Sequence, residues 1–246
     1  MNPFFTIVTV CLNAGNGLRK TVESVISQKF TDYEYIIKDG LSIDGSLDKL
    51  NLNSNCFIVN SKDMGIYDAM NQGIECSKGK YILFLNAGDL FYNEYVLIHF
   101  YNSIIDNKYP AFVYSDLIPT KTGRRYCNPD KLSPFFLFRS MICHQTWMLH
   151  TEIFKQGFRF DSRHRLYGDY DLLLHILMKE KKSYLHMKEI GVIYQSDGFS
   201  STNIRKFNYE LIEIQKKYFK NRYFLFKLFH LLTLPKFRFI LRKFMF

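Results

Sequence analysis

A mixed, mostly parallel α/β sheet flanked by helices is the fold class predicted by three features of the N-terminal third of the chain. Apolar, often β-branched runs recur at Phe5–Leu12, Tyr33–Lys38, Cys56–Val59 and Tyr81–Leu85, which suits strands buried on both faces. Stripes at helical spacing alternate with them. The runs end in small, amide or acidic residues, the usual punctuation at the edge of a parallel sheet. Strand, helix, strand in that order implies crossover connections and helices on both sheet faces.

In chain order, Phe5–Leu12 ends at Asn13-Ala14-Gly15-Asn16-Gly17, and Leu18, Val22, Val25 and Ile26 then mark a helix face. Gly15-x-Gly17 has Lys20 where a dinucleotide fingerprint needs its third glycine, so that reading is discounted. Tyr33–Lys38 leads into the turn-rich DGLSIDGS, and Cys56–Val59 is a third strand. Ile66–Cys76 reads as a helix with Ile66, Met70 and Ile74 inward. After Tyr81–Leu85 the pattern loosens. A helix is expected at Val96–Ile105, a strand at Ala111–Ser115 and a flexible loop at Leu117–Pro134. Met141–Leu149 is strand-like, Asp169–Lys181 helical through Leu173, Ile176 and Leu177, and Ser183–His186 and Glu189–Tyr194 are short strands.

The bulk numbers bound the class. A chain of 246 residues with 47% hydrophobic content buries one large core and is not disordered. Five scattered cysteines lack metal-ligand spacing and suggest reduced thiols in a cytosolic setting. The opening MNPFFTIVTV lacks the basic start of a signal peptide. The net charge of +10 sits in the tail, where residues 216–246 hold nine Lys or Arg and no Asp or Glu. The body is therefore almost neutral, which argues against nucleic acid as a partner.

Amide and acidic groups stand at successive strand ends: Asn13, Asp39, Asp63 with Asp68 and Asn71, and Asp89. In a parallel sheet those ends share one edge, so the groups converge in space. Asp89 closes the turn Asn86-Ala87-Gly88-Asp89, and a carboxylate there suits a divalent cation and, through it, a diphosphate. Singly, each residue has a plainer role. Asp39 can shape a turn, Asp169 can cap a helix and Asp171 can favour its first turn. His144 and Trp147 can be core residues.

Taken in order, TIVTVCLN, KDGLSIDGS, SKDMGIYDAMNQGI, GKYILFLNAGD, CHQTW and GDYDLLLHI resemble glycosyltransferase family 2, in the branch of bacterial O-antigen and colanic-acid synthesis. The resemblance covers roughly residues 4–200 and implies a GT-A fold, a nucleotide-diphosphate sugar donor and inversion at the anomeric carbon. By the same resemblance Val10 and Asn13 lie beside the nucleotide and Asp39 hydrogen-bonds its base. Asp63 and the Gly65–Asn71 segment, with Asp68, line the nucleotide and donor sugar. Asp89 ligates Mn²⁺ or Mg²⁺ with Asn86, Ala87 and Gly88 around it, and Asp169 is the general base with Asp171 beside it. His144, Gln145 and Trp147 offer polar groups and a platform for a sugar ring. Many relatives carry two or three aspartates where this chain keeps only Asp89. Ser200-Ser201-Thr202 resembles a loop over the diphosphate or a plain surface loop.

The expected organisation is a GT-A catalytic domain over residues 1–205 and a basic, aromatic helical tail over 206–246. The tail lacks the ~20 apolar residues of a spanning helix. Its mix of cations and aromatics suits an anionic membrane surface, or a helix packed on the body. The combined expectation is transfer of a hexose or N-acetylhexosamine from a UDP-sugar to a polyprenyl-diphosphate-linked saccharide at the cytoplasmic face of the membrane. An inactive sugar-nucleotide binding module and a nucleotidyltransferase stand as alternatives.

Overall fold

The computed structural model describes residues 2–48, 50–196, 198 and 202–233 of the chain. Eight strands form one sheet in the order β3-β2-β1-β4-β7-β6-β8-β5. They are β1 Phe5–Cys11, β2 Tyr33–Asp39, β3 Cys56–Asn60, β4 Tyr81–Phe84, β5 Leu90–Phe91, β6 Phe112–Pro119, β7 Trp147–His150 and β8 Tyr184–Tyr194. The half formed by β3, β2, β1 and β4 is wholly parallel, as the alternating pattern predicts. Beyond β4, β7 runs antiparallel to both β4 and β6, β6 runs parallel to β8, and β5 closes the edge antiparallel.

Alternate residues of each strand face opposite sides, and each side has its own apolar layer. Phe5, Ile7, Tyr81, Leu83 and Leu85 pack under helices α1 (Gly15–Ile26) and α3 (Val96–Asp106). Val8, Val10, Ile82 and Phe84 face α2 (Ile66–Cys76) on the other side. That second layer also takes in α4 (Pro134–Arg139), the one-turn α5 (Glu152–Lys155), α6 (Gly168–Leu174) and α7 (Asn208–Phe219). Helix α8 (Tyr223–Thr233) follows α7 and meets α4 through Phe226 and Phe135, ring centroids 5.5 Å apart.

Two buried charges in β2 explain how polar residues sit inside an apolar sheet. Lys38 gives its ammonium to the carbonyls of Asp39 and Ser61 and to Asp63 at 2.9 Å. Glu34 accepts from Thr6, Lys78 and Gly79, tying β2 to the start of β4. Buried charges persist only when satisfied in this way.

Several local expectations differ from the structure. The inward face of α2 is Tyr67, Met70 and Ile74, while Ile66 is part-exposed. Only Trp147–His150 of the expected 141–149 strand is a strand, because His144–Thr146 form a 3₁₀ turn. The helix expected to reach Lys181 stops at Leu174 and continues as a π-helical turn, His175–Lys179. The two expected short strands are one, β8, whose pairing with β6 slips at Asp116. Leu117–Pro119 belong to β6, and Tyr126 folds back to bridge Leu117. Arg125 holds that return through paired hydrogen bonds to Asp116. The β6–β8 pairing joins residues far apart in sequence, and the return onto Leu117 has no repeating pattern, so local periodicity registers neither. The Ser133-Pro134 start of α4, with Ser133 accepting from Phe136, is a cap signal legible in the sequence.

Candidate active site

The site forms where β4 ends. The chain turns at Asn86–Asp89, closed by the Asp89 amide donating to the Asn86 carbonyl at 2.9 Å. Gly88 adopts φ +105°, a left-handed conformation that glycine tolerates best. Helix α1 braces the turn: Thr21 accepts from the Gly88 amide and donates to the Asp89 carbonyl. The Asp89 carboxylate is 3% exposed and accepts from Gln145 Nε2 at 2.9 Å and from the Gln195 amide at 2.8 Å. Burial pushes this carboxyl up to about 6, and the Gln195 and Gln145 hydrogen bonds with nearby His144 only partly oppose it. No Lys or Arg pairs with it among the described residues.

In the same turn Asn86 Oδ1 is buried without a hydrogen-bond partner among the described residues. A buried carboxylate short of positive charge beside an unsatisfied amide oxygen is a donor set that fits a hard divalent cation. Both oxygens can serve as ligands, and a cation there would also remove two costs of burial.

Asp169 lies at the start of α6, buried at 5% exposure. Its Oδ1 accepts from the Tyr170 amide at 2.8 Å and lies 3.1 Å from the Tyr67 hydroxyl. Its Oδ2 lies 2.8 Å from His144 Nδ1, and His144 Nε2 lies 3.0 Å from Asn86 Nδ2. With the Asn86 amide in this orientation Nε2 accepts, so Nδ1 carries the proton and donates to Asp169. A continuous line therefore runs from the Asn86–Asp89 turn through His144 to Asp169. Gly168 is required here, since a Cβ would lie 2.8 Å from the Tyr67 ring.

A cavity of about 780 Å³ opens on this line, within the range of small-molecule clefts. Of the sequence-predicted residues Gly65, His144, Gln145 and Asp169 line it, and Asp89 and Asn86 lie one hydrogen bond behind. Its remaining wall is largely apolar, from Leu117, Tyr126, Met141 and Tyr194. Those four residues were missed, whereas Tyr67 lies in the expected Gly65–Asn71 segment. Leu117, Tyr126 and Met141 come from the strand return and the long segments, where no periodic signal marks them, and Tyr194 ends β8.

The other predicted residues are placed as follows. Asn13 (φ +50°) accepts from the Ile43 amide, and Asp39 accepts from Ser42 twice and from the Cys11 thiol. Burial raises the Asp39 carboxyl, but the Ser42, Cys11 and Leu41 hydrogen bonds outweigh it and hold it below the usual range. Val10 is core, and Asp63 is paired with Lys38. These residues, with Ala87 and Gly88, do not line the cavity but stand at the ends of β1, β2 and β4 or in the loops that follow. Asp44, read as a turn residue, also accepts from the Gly15 amide at 2.9 Å and so ties the α1 start to this rim.

The structure gives four of the predicted residues other partners. Trp147 is 2% exposed and packs edge-on to Phe112 at 5.5 Å, so it is core rather than a sugar platform. Asn71 exchanges two hydrogen bonds with the Phe160 backbone, and Asp68 accepts from the Met64 amide and Gln72. Asp171 faces away from the cavity, paired with Lys217 at 2.8 Å. Asp161, His164 and Asp171 cluster closely enough for a metal, but Arg163 and Lys217 already neutralise the two carboxylates. Ser200 and Ser201 lie outside the described residues.

Comparison with known proteins follows the same outline. The family model described as "Glycosyl transferase family 2" matches residues 6–165. A PGL/p-HBAD biosynthesis glycosyltransferase of Mycobacterium bovis is 28% identical over 207 residues, covering 82% of this chain and 80% of that protein. An uncharacterized glycosyltransferase of Rickettsia prowazekii is 28% identical over 185 residues, covering 70% of this chain and 58% of its own length. S. aureus TarS 1–349 with UDP-GlcNAc superposes at TM-score 0.71 and 14% identity, covering 89% of this chain and 67% of that one. The mannosyltransferase PcManGT from Pyrobaculum calidifontis with GDP-Man and Mn²⁺ gives 0.64 and 13%, covering 88% and 64%. At such identities the structural likeness speaks to the fold, which is GT-A.

Proposed function

The chain belongs to glycosyltransferase family 2, and from that premise we propose that it is an inverting enzyme acting on a UDP-sugar. The observation that carries this reading is the unbroken line from the Asn86–Asp89 turn through His144 to Asp169 at the wall of one cavity. It sets a diphosphate site and a proton acceptor on one line, as a single displacement requires.

Asp169 takes the proton from the acceptor hydroxyl. The acceptor oxygen forms its bond to the anomeric carbon as the carbon–oxygen bond to the diphosphate breaks, and the nucleoside diphosphate leaves with the electron pair. His144 donates to Asp169 through Nδ1 and so holds the carboxylate toward the cavity. Asp89 and Asn86 would hold Mn²⁺ or Mg²⁺, which when bound offsets the charge gathering on the leaving diphosphate. Asp39 and Asn13 flank the nucleotide at the strand ends.

The sugar moved is a hexose or N-acetylhexosamine, and the acceptor is a polyprenyl-diphosphate-linked saccharide in bacterial surface polysaccharide synthesis. The apolar cavity wall and helix α8 support a lipid-borne acceptor. Helix α8 exposes Phe224 (76%), Leu225 and Leu228 beside Lys220, Arg222 and Lys227. Such a face matches an anionic lipid surface and supports a peripheral position on the inner face of the membrane. No helix among the described residues is long and apolar enough to cross a membrane. The part of the tail from 234 onward lies outside the described residues.

The test is a panel of UDP- and GDP-sugars with Mn²⁺ or Mg²⁺ and a synthetic lipid-diphosphate sugar, read by mass spectrometry. The expected result is one sugar gained from one UDP donor. Nucleotide release without a mass gain would overturn the acceptor, and binding without release would overturn catalysis.

A further inference from the structure

Helix α7 lies beyond the matched segment 6–165, yet it reaches back to the loop that carries Asp169. Glu210, 2% exposed, accepts three backbone hydrogen bonds from successive residues of that loop. The donors are the amides of Arg165 at 2.8 Å, Leu166 at 3.0 Å and Tyr167 at 3.1 Å. One carboxylate thus satisfies the whole strip of amides that precedes α6. Without it the buried Leu166 amide would be left unpaired, and the amides of the exposed Arg165 and half-buried Tyr167 would need another partner or water.

The strip connects directly to the base. The Leu166 carbonyl accepts from the Tyr67 hydroxyl at 2.6 Å, and that hydroxyl lies 3.1 Å from Asp169 Oδ1. Gly168 is pressed against the Tyr67 ring, so the loop and the ring move together. On the far side of Asp169, Lys217 of the same helix holds Asp171, and Gln215 donates to the Phe138 carbonyl. Helix α7 therefore grips the segment before and after Asp169. Its buried residues Ile214 and Phe219 anchor it in the core.

We infer that Glu210 is a positioning residue for Asp169, acting through the amides of 165–167 and the Tyr67 hydroxyl. The inference rests on the reading of Asp169 as the base. Glu210 touches no cavity-facing atom of Asp169, so its loss leaves the charge of the base intact and changes where that charge points. A displacement on the order of 1 Å at a reacting group lowers turnover about 100-fold.

The experiment compares Glu210→Ala and Glu210→Gln with the unaltered protein in four measurements. They are kcat and donor KM for transfer, UDP affinity, amide hydrogen exchange, and the carboxyl ¹³C resonance of Asp169. The expected result for Glu210→Ala is a kcat about 100-fold lower, with donor KM and UDP affinity unchanged. The Leu166 and Tyr167 amides exchange faster, and the Asp169 resonance moves. Glu210→Gln keeps a carbonyl acceptor, recovers part of the loss, and serves should Glu210→Ala fail to fold. Unchanged kcat in both variants, or a still Asp169 resonance despite faster loop exchange, would overturn the inference. If the unaltered protein transfers no sugar, the functional reading falls, and exchange and the Asp169 resonance still decide whether Glu210 positions that side chain.

Discussion

The two halves of the sheet edge are built differently. On the β1–β2 side, Asn13 and Asp39 both meet one short loop, Ser42 and Ile43, Asp39 from three residues away in sequence and Asn13 from across α1 and β2. On the β7–β6 side, Asp169 is held by Tyr67, His144 and the Glu210-bound loop, partners drawn from separate parts of the chain. The first half draws on the single loop that follows β2, and the second on several separate segments. Asp39 is thus set largely by the turn after its own strand, whereas Asp169 depends on the assembled fold.

The largest effect that separates the halves is expected from Asp169→Asn. It should lower transfer about 10²–10⁴-fold with UDP affinity retained, measured by kinetics beside calorimetry. Loss of UDP binding as well would show that the two sides are not independent. Next comes Asp63→Ala, which leaves Lys38 buried beside carbonyls alone. The expected loss is about 3–5 kcal/mol of stability, read by urea unfolding, with the rim disturbed before the Asp169 side.

Asp89 sharpens the comparison through pH. Its carboxyl is raised from 3.8 to about 6, so its contribution to stability is full below pH 3.8 and is lost as pH rises through 6. Without a divalent cation, the folded protein should lose about 3 kcal/mol across that window, at ~1.4 kcal/mol per pKa unit. Mn²⁺ added at pH 7 should restore it, and Asp89→Asn should abolish both effects, as melting curves would show. A flat profile in the unaltered protein would remove Asp89 as a cation ligand. The smallest effect is Lys217→Met, since the lysine is half exposed. Stability should shift within about 1 kcal/mol, and a larger shift would make the Asp171 pair part of the grip on Asp169.

The parallel half was legible because each strand there is a largely apolar run, broken by internal charges only in β2, at Glu34 and Lys38, and each helix shows an apolar stripe. Ile66–Cys76 has the expected bounds, and β1, β2 and β3 differ by one residue at one end. Asp89 and Asp169 are singled out by motif order; both are buried, Asp89 held by Gln145 and Asp169 beside His144. Trp147 was misread because an aromatic beside polar residues looks the same whether it lines a cleft or fills a core. Asp171 was misread because two residues along a helix turn it about 200° from Asp169. The slip in β6–β8 pairing depends on partners far along the chain, and the fold-back of Tyr126 onto Leu117 has no periodic pattern to mark it.

By itself, then, the sequence determined the α/β class, the bounds of the parallel strands and the basic tail, and it singled out Asp89 and Asp169 as candidates. Periodicity and turn residues are local properties, and they survive without knowledge of what packs where. Only the tertiary structure decided that His144 links Asn86 to Asp169, that Gln145 and the Gln195 amide hold Asp89, and that Glu210 grips the loop before Asp169. Each of those is a hydrogen bond between segments 25 to 106 residues apart, and its partner is chosen by burial, which leaves no other group within reach.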